Sequence, residues 1–596
     1  MSGRRTIGRL WRDAVSAGRT TPAYLVQDGK DWREVSWAEV AERVDAYANG
    51  LLALGVRKGD AFAILGSSRL EWALFDFALG LIGAISSPIY ANSSEKETGY
   101  ILDHSESVGV LCEDETQLAK VEAVRNGIPR LRDVLTFADL DDLAARGRDY
   151  AGEHPHELRE AEEEIGEDDL FTYIYTSGTT GPPKGCMISH RNYYAMVAVV
   201  DDLPSFTGPE DTMLLYLPLA HNFGRLMHLS GAYVGYTIAF LPDPLQAATA
   251  LTTVKPTVFP SVPRVYEKVH TTVVARFDEA TGAKRKLVDW ALRVGRRVSA
   301  LKLAGKPIPR GLAAQYQVAD RLVYSKVKER LGGRLRLAIS GGAPLSRELA
   351  EFFHALDIVL IEGYGLTECT TAATTNTHEA FRFGTVGRPL PGTEVRLADD
   401  GELLVRSETV FQGYYKDPEA TAAVLRADGW LLTGDIAEID EDGFVKITDR
   451  KKDIIVTAGG KNVAPQNLEN DLKASKYVSQ AMVVGDRRPY VAALITLDPE
   501  EAPKWATDHG LPTDVDGLAR DEQVRELIQG VVDDVNADRS RYEQIKRFSI
   551  LPRDFTMDAG ELTPTLKLRR RIVAEHFAEE LEELYAGETL NQAAGA

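Results

Sequence analysis

Hydrophobic positions in the first third of the chain alternate between two periods. Helix-like runs at 40–54 and 72–82 alternate with short apolar runs at 61–65 and 108–112, which have the length and composition of strands. This alternation predicts layers of helices on a sheet, the α/β class.

The pattern changes twice further along the chain. Residues 265–333 are helical in character and rich in Lys, Arg and Ala. From about residue 390, short apolar strands are separated by Asp-Gly turns, which predicts a β-rich part. A charged joint at 449–453 precedes a smaller α+β unit with a predicted hairpin at 479–484 and 490–497.

The N-terminus predicts an amphipathic helix. Ile7, Leu10, Trp11 and Val15 recur at helical spacing, and no long apolar segment of a secretory signal accompanies them. We expect this helix to pack on the body of the protein, with peripheral membrane contact as the alternative.

Composition narrows the class of protein. The chain has 596 residues, 44% hydrophobic and 27% charged, which predicts a soluble globular protein with more than one domain. A formal net charge of −20 argues against a nucleic-acid partner. Cys112, Cys186 and Cys369 form neither a disulfide framework nor a close ligand pair, so we expect buried thiols in a protein of the reducing cytoplasm.

A run of small residues follows the predicted strand that ends near residue 175. Glycines let backbone N–H groups approach an anion, hydroxyls add donors, and a lysine adds a mobile positive charge, so the run is suited to binding phosphate. It is not a Walker loop, because Gly185 follows the lysine. A surface turn is the alternative reading of the composition. The phosphate-binding candidates are Thr176, Ser177, Gly178, Thr179, Thr180 and Lys184.

Residues 175–185, Tyr-Thr-Ser-Gly-Thr-Thr-Gly-Pro-Pro-Lys-Gly, resemble the signature of the adenylate-forming (AMP-binding) superfamily. The resemblance implies that this loop holds the β- and γ-phosphates of ATP. It also implies an α/β fold with a large N-terminal domain at 1–448, made of layered α/β subdomains and a β-rich subdomain. A hinge at 449–452 and a smaller, mobile α+β C-terminal domain at 453–596 would follow.

A second segment, residues 364–368, resembles the other signature of the superfamily. There the resemblance implies that Tyr364 stacks on adenine, Thr367 binds the α-phosphate and Glu368 holds Mg²⁺. A carboxylate together with phosphate oxygens is a chemically sensible magnesium site. Two strands that each end in a glycine-rich loop fit a ligand crevice at the carboxyl edge of a sheet. The further nucleotide-binding candidates are Gly342, Ala343 and Gly363 on the adenine side, and Asp435 and Arg450 at the ribose.

Lys567, in Thr-Pro-Thr-Leu-Lys, matches the catalytic lysine that bridges the substrate carboxylate and the α-phosphate. The superfamily has glycine before this lysine, and Leu566 here resembles long-chain acyl-CoA synthetases. By the same resemblance, Lys452 lies at the hinge, and Gly459 and Gly460 line the channel for the pantetheine of coenzyme A after domain rotation. His221 is expected to line the acyl pocket and not to act as acid or base.

Segments 87–92 and 100–102, the helical stretch at 275–330 and the Thr-Pro-Thr-Leu-Lys ending resemble medium- to long-chain fatty acyl-CoA synthetases. The expected reaction forms acyl-AMP and pyrophosphate from a fatty acid and Mg²⁺-ATP, then acyl-CoA and AMP from coenzyme A. The alternatives are a fatty acyl-AMP ligase that supplies a carrier protein, and a non-catalytic nucleotide- or acyl-binding protein. We expect a cytoplasmic location, with peripheral contact with the inner face of the membrane as an alternative, and the sequence does not determine the oligomeric state.

Overall fold

The computed structural model describes residues 4–176, 182–203, 206–537, 539–563 and 567–586. Within these residues, seven strands form a sheet in which parallel neighbours occupy the centre and an antiparallel hairpin lies toward one edge. Helices Leu70–Leu81 and Asn222–Val234 belong to the core that this sheet shares with its larger neighbour. In spatial order the strands are Gly413–Tyr414, Lys184–Ser189, Leu170–Thr176, Ile85–Tyr90, Ala61–Gly66, Gly109–Cys112 and Asp133–Thr136.

The second large sheet has nine strands in the described part of the chain. Its central strands are parallel, and Ser340 lies opposite Glu362 in the register of two neighbours. The carboxyl ends of these two strands therefore lie at the same edge, as the sequence predicted. In spatial order the strands are Arg388–Pro389, Thr374–Thr375, Leu360–Tyr364, Leu337–Ser340, Val258–Ser261, Thr212–Leu215, Thr237–Phe240, Tyr24–Asp28 and Asp31–Val35.

Smaller antiparallel and mixed sheets make up the β-rich part and the C-terminal unit. The β-rich part contains Glu394–Leu397, Glu402–Arg406, Leu431–Ile439 and Val445–Arg450. The C-terminal unit contains the pair Ile455–Val456 and Asn462–Val463, and the three strands Val478–Val484, Val491–Leu497 and Ile545–Ile550. The three-stranded sheet includes the predicted hairpin, whose two strands pair antiparallel.

Helices cover the sheets on both the N-terminal and the C-terminal side of the joint. The α-helices of the N-terminal part are Ile7–Ser16, Trp37–Ala53, Leu70–Leu81, Glu95–His104, Glu115–Val124, Leu140–Glu153, Glu157–Glu164, His190–Ala198, Asn222–Val234, Ala247–Val254, Pro263–Asp278, Gly282–Leu303, Arg310–Ala319, Ser325–Arg330, Arg347–Ala355 and Pro418–Val424. Those of the C-terminal unit are Pro465–Lys473, Glu501–Asp508, Val515–Ala519, Glu522–Asn536, Arg570–His576 and Ala578–Tyr585. None of the helices in the described ranges is long and apolar enough to cross a membrane.

The predicted N-terminal helix is confirmed as Ile7–Ser16, and it packs on the body. Ile7, Leu10 and Trp11 are buried, and the ring of Trp11 stacks on Phe77 at a centroid distance of 4.3 Å. The face that could have entered a lipid surface is therefore occupied by the hydrophobic core.

An acidic segment, residues 157–169, precedes the strand Leu170–Thr176. It contains the helix Glu157–Glu164, in which no residue is fully buried. Like charges at helical spacing repel each other, and here arginines from elsewhere offset the repulsion. Arg12 and Arg57 form ion pairs with Glu162 and Glu157.

The three cysteines are buried, as expected. Burial raises the pKa of the Cys112 and Cys369 thiols to about 12, so these thiols stay protonated at neutral pH. The fold class is confirmed: a large layered α/β body with a β-rich part and a smaller α+β unit. The largest core cluster ends at Val445 and the C-terminal clusters begin at Ile455, on either side of the expected joint, and the boundaries 1–448, 449–452 and 453–596 stay predictions.

Candidate active site

A cavity of about 800 Å³ lies where the strand ends of the body meet the C-terminal unit. Strand Leu360–Tyr364 and the 3₁₀ turn Thr367–Cys369 supply one wall, and strand Leu431–Ile439 supplies another. The residues on which the sequence analysis placed chemistry and which line this cavity are Thr176, Lys184, His221, Gly342, Gly363, Tyr364, Thr367, Glu368, Asp435, Arg450, Lys452 and Lys567.

Tyr364, Asp435 and Arg450 form a connected polar group on one wall. The Tyr364 hydroxyl donates to Asp435 Oδ2 at 2.6 Å, and Arg450 Nε lies 3.3 Å from Asp435 Oδ1. Asp435 and Arg450 are opposite each other in the strand register, which fixes their pairing. Burial raises the pKa of the Asp435 carboxyl while Arg450 opposes that effect, and burial also raises the pKa of Tyr364, which therefore stays a donor.

Glu368 presents a carboxylate to the cavity. Its Oε1 accepts a hydrogen bond from the Tyr414 hydroxyl at 2.6 Å. The turn that carries Glu368 is tightly folded, because a Cβ on Gly365 would lie 1.8 Å from the Thr371 carbonyl oxygen. Any side chain at position 365 would push the turn away from the strand, so glycine is required by this close approach.

Lys184 lies at the start of the strand that returns from the phosphate-loop segment. Thr176 and Lys184 are opposite each other in the antiparallel register, so the two ends of the loop are held together. Lys184 Nζ lies 3.7 Å from Asp417 Oδ2 and 5.1 Å from the centre of the Tyr414 ring. The other predicted phosphate-binding residues, Ser177, Gly178, Thr179 and Thr180, lie outside the described residues.

Lys567 reaches the same cavity from the C-terminal unit. Its backbone N–H donates to the Thr563 hydroxyl at 3.0 Å, and its carbonyl accepts from the Thr563 N–H at 2.8 Å. Desolvation by the surrounding protein and the charge of Arg450 lower the pKa of Lys567 to about 8, against the opposing charges of Asp435 and Glu368. The lysine is thus placed among the groups predicted to hold the nucleotide.

His221 caps the helix that borders the apolar side of the cavity. Its Nδ1 accepts from the Phe223 N–H at 3.1 Å, so the neutral ring carries its proton on Nε2. Burial, with the charge of Lys567, lowers the pKa of His221 to about 4, so the ring is neutral at physiological pH. Apolar side chains continue the cavity beyond His221: Met196, Val197, Val200, Leu203, Phe206, Phe223, Leu226 and Met227.

Three predicted residues do not line the cavity in this structure. Ala343 is exposed beside Gly342, which does line it. Gly459 and Gly460 lie in an exposed turn in which the Gly460 N–H donates to the Thr457 carbonyl at 2.8 Å. The role predicted for these two glycines belongs to a rotated arrangement of the C-terminal unit.

Comparisons with known families agree with this geometry. The family model of AMP-binding enzymes matches residues 11–415, and the model of the AMP-binding enzyme C-terminal domain matches residues 452–589. This chain belongs to the AMP-binding enzyme family. The superfamily predicted from residues 175–185 is thereby confirmed.

Relatives of this AMP-binding enzyme span nearly its full length. The long-chain-fatty-acid–CoA ligase FadD15 of Mycobacterium tuberculosis is 40% identical over 587 residues, which cover 95% of each chain. The human long-chain-fatty-acid–CoA ligase ACSBG2 is 30% identical and covers 97% of this chain and 92% of its own.

Solved structures share the fold. The adenylation domain of a carboxylate reductase from Mycobacterium chelonae has a TM-score of 0.77 and 25% identity, and the match covers 98% of this chain and 91% of that one. A fatty acyl CoA synthetase of Mycobacterium tuberculosis has a TM-score of 0.62 and 22% identity, with 97% and 99% covered, and supports the fold alone.

Some residues that sequence reasoning missed contact the predicted site residues. Tyr414, in the two-residue strand Gly413–Tyr414, contacts Glu368, and Asp417, the N-cap of helix Pro418–Val424, contacts Lys184. These elements are too short to give a periodic signal that marks either residue. Glu97 lines the cavity and forms an ion pair with Arg569, at a distance of 3.0 Å between Oε1 and Nη2. The only available signal was the capping pattern Ser-Glu-Lys-Glu at residues 94–97, which predicts a helix start but no active-site contact.

Proposed function

We propose that this protein is an ATP-dependent, AMP-forming ligase that activates a medium- to long-chain fatty acid and transfers it to coenzyme A. The observation that carries the proposal is a single cavity that joins an apolar branch to a group of nucleotide-binding side chains and to Lys567. Relatives named long-chain-fatty-acid–CoA ligases, matched over nearly the whole chain, support the same reaction.

The first half-reaction joins two anions, so the site must offset their repulsion. A carboxylate oxygen of the fatty acid forms a bond to the α-phosphorus of ATP, and the bond to pyrophosphate breaks. In the proposal, the Lys567 ammonium bridges the carboxylate and the α-phosphate, and Thr367 donates to the α-phosphate. Lys184 with the 176–180 segment holds the departing β- and γ-phosphates.

The nucleoside is assigned to the wall formed by Tyr364, Asp435 and Arg450. Asp435 accepts hydrogen bonds from the ribose hydroxyls, and Arg450 keeps that carboxylate in place. Tyr364 stacks on adenine, with Gly342, Ala343 and Gly363 on the adenine side. The hydrogen bond of Tyr364 to Asp435 couples the base and sugar subsites.

Magnesium fits the carboxylate that the cavity offers. One oxygen of Glu368 accepts from Tyr414, which orients the carboxylate and leaves its other oxygen for a metal. Mg²⁺ usually takes one or two protein carboxylates and completes its shell with phosphate oxygens and water. Glu368 would hold it, and the bound ion would neutralise charge on the phosphates.

The second half-reaction releases AMP. The thiolate of coenzyme A attacks the acyl carbonyl carbon, the bond to the adenylate oxygen breaks, and the thiol proton passes to solvent. Rotation about Lys452 would withdraw Lys567 and bring Gly459 and Gly460 to the pantetheine channel. His221 lines the acyl pocket in both steps and remains neutral.

The location of the protein stays a prediction. The buried thiols agree with the cytoplasm inferred from the cysteine content. Membrane contact through the N-terminal helix loses its basis, since the apolar face of that helix is buried.

Release of AMP and pyrophosphate from palmitate, ATP and Mg²⁺, with and without coenzyme A, tests the overall reaction. We expect turnover that requires coenzyme A and yields palmitoyl-CoA. A single burst of pyrophosphate that coenzyme A cannot convert into turnover would identify an acyl-AMP ligase. No reaction with palmitate or with a panel of other carboxylates would leave a non-catalytic binding protein.

The Lys567→Ala variant separates the half-reactions. Because the lysine is assigned to the first step alone, adenylation should fall by about 100- to 1,000-fold, the usual cost of one transition-state donor. Thioester formation from preformed palmitoyl-AMP and coenzyme A should stay near the wild-type rate. Arg571→Ala, which removes an exposed cation four positions away, is the matched control, and equal loss in both steps would contradict the assignment.

A further inference from the structure

Charge is distributed very unevenly along this acidic chain. Residues 282–336 contain 15 Lys and Arg against 3 Asp and Glu, a net charge of +12. Because the whole chain has a formal net charge of −20, the residues outside this segment together carry −32. A local excess of this size on one part of a strongly acidic protein creates a directed electrostatic field.

The basic segment folds into an antiparallel helical layer. The Tyr324 hydroxyl donates to the Ala291 carbonyl, and Lys302 Nζ lies 5.5 Å from the centre of the Tyr316 ring, so the chain runs back along helix Gly282–Leu303. One side of this helix packs on helix Arg347–Ala355, where Ser299 contacts His354 at 2.6 Å. The opposite side is exposed.

We define the basic helical face by the exposed residues of this layer. Arg285 and Lys302 of this layer are paired with Asp278 and Asp357. Other exposed cations form no ion pair with any residue that the structure describes, among them Lys286, Arg293, Arg296, Arg297, Arg310 and Arg321. Three exposed aliphatic side chains belong to the same layer. Leu303 (41% exposed) ends helix Gly282–Leu303, Val318 (49%) lies in helix Arg310–Ala319, and Leu322 (42%) lies in the π-helical segment Asp320–Tyr324 that follows it. The face therefore combines free positive charge with accessible apolar groups.

We propose that the basic helical face docks on the surface of an anionic lipid bilayer. Lys and Arg side chains are attracted to anionic headgroups, and exposed aliphatic groups gain by entering the interface. Acidic groups of the rest of the chain that lie more than the Debye length of about 8 Å from the lipid are screened from its charge. The choice of a lipid surface over another polyanion rests partly on the proposed acyl substrate, which partitions into bilayers.

Vesicle sedimentation of the full chain tests this interaction. We expect binding to phosphatidylcholine vesicles that contain phosphatidylglycerol, weak binding to phosphatidylcholine alone, and release by added salt. Substituting three cations of one helix should weaken partitioning about 100-fold, because each loses roughly a fivefold contribution. The test variant is Arg293→Gln, Arg296→Gln and Arg297→Gln combined.

A matched control removes the same charge elsewhere. It combines Arg159→Gln, Arg487→Gln and Arg520→Gln, three exposed arginines outside the basic helical face. We expect this control to bind like the wild type. Circular dichroism and thermal melting verify that both variants remain folded.

A second variant separates apolar insertion from charge. Val318→Gln with Leu322→Gln keeps every cation, and we expect it to lose the part of the binding that resists salt. Equal binding to neutral and anionic vesicles, or equal loss in test and control variants, would overturn the proposal. Binding of an RNA oligonucleotide that disappears in the test variant, without vesicle binding, would assign the face to nucleic acid. Because sedimentation needs no turnover, its result is independent of whether palmitoyl-CoA forms.

Discussion

At the scale of single residues, desolvation and charge together set the protonation states in the cavity. Desolvation and the charge of Arg450 lower the pKa of Lys567 to about 8, against the opposing charges of Asp435 and Glu368. His221, whose pKa is lowered to about 4, contributes no charge near neutral pH. One group of the predicted site is therefore positioned to change charge in the range where the enzyme would work.

The pH dependence of adenylation should report this lysine. Its cationic form is the active one, so kcat/KM for ATP should fall as pH rises through about 8, with a single ionisation of the free enzyme. Pyrophosphate release at saturating palmitate measures the profile. Thioester formation from palmitoyl-AMP provides the contrast, since it should not show this ionisation. A kcat/KM that does not change between about pH 7 and 9.5 would contradict the role of Lys567 in adenylation. Both pH limits lie about one unit or more from the expected pKa of about 8.

Tyr414 should tune the magnesium site although no sequence motif includes it. Tyr414→Phe removes the hydroxyl that orients Glu368, and we expect the affinity for Mg²⁺ in the presence of ATP to fall by about tenfold. Isothermal titration of ATP at varied Mg²⁺ concentration measures it. Tyr415→Phe is the matched control, because that hydroxyl contacts Glu106 at 3.2 Å instead. Equal affinities in the two variants would refute the role of Tyr414.

At the scale of elements, close helix packing positions the basic layer. Gly295 lies where helix Gly282–Leu303 meets the end of helix Arg347–Ala355, and a Cβ there would lie 2.2 Å from the Ala355 carbonyl oxygen. The helical character of this region was predicted from its composition, but its close contact with another helix was not. Local propensity does not show at which position a neighbouring helix comes too close to allow any side chain larger than that of glycine.

Gly295→Ala should therefore destabilise the body. We expect the free energy of unfolding to fall by about 1–3 kcal/mol, since backbone must move to admit the methyl group. Gly311→Ala is the matched control in helix Arg310–Ala319, where no heavy atom lies within 4 Å of the new Cβ. That substitution should raise stability by about 0.5 kcal/mol. Urea denaturation measures both, and similar values for the two variants would show that the helices adjust without cost.

At the scale of the whole molecule, polar contacts hold the C-terminal unit over the cavity. Arg569 pairs with Glu97 close to Lys567, and Arg264 and Lys268 pair with Asp498 and Glu500 at 3.2 Å each. These contacts join hydrophobic cores that are otherwise separate. They are among the contacts that a rotation of the unit would have to break.

Glu97→Gln should weaken the arrangement that serves adenylation. Glutamine preserves the capping box with Ser94 but removes the charge that faces Arg569. We expect adenylation to slow by about fivefold, equivalent to roughly 1 kcal/mol for a partly buried pair. Thioester formation from palmitoyl-AMP should be unchanged.

A double-mutant cycle with Arg569→Gln controls for other effects of either substitution. The double variant should lose no more adenylation than the single variants, because the same ion pair is removed in each. Additive losses, or an equal loss in thioester formation, would mean that the pair does not position Lys567.

Contiguous motifs allowed the sequence by itself to determine the superfamily, the α/β class and the catalytic candidates. A phosphate loop or a strand end is formed by residues that are consecutive in the chain, so its chemistry can be recognised from the sequence. Only the tertiary structure decided which partners orient these groups: Tyr414 reaches Glu368 across 46 positions, and Arg569 reaches Glu97 across 472. Such pairs depend on the order of strands in the sheets and on how the C-terminal unit docks. The periodicity of a sequence reports local structure only, so it predicts neither of these. The same reason explains why the buried contacts of the N-terminal helix and the exposed basic helical face required the fold.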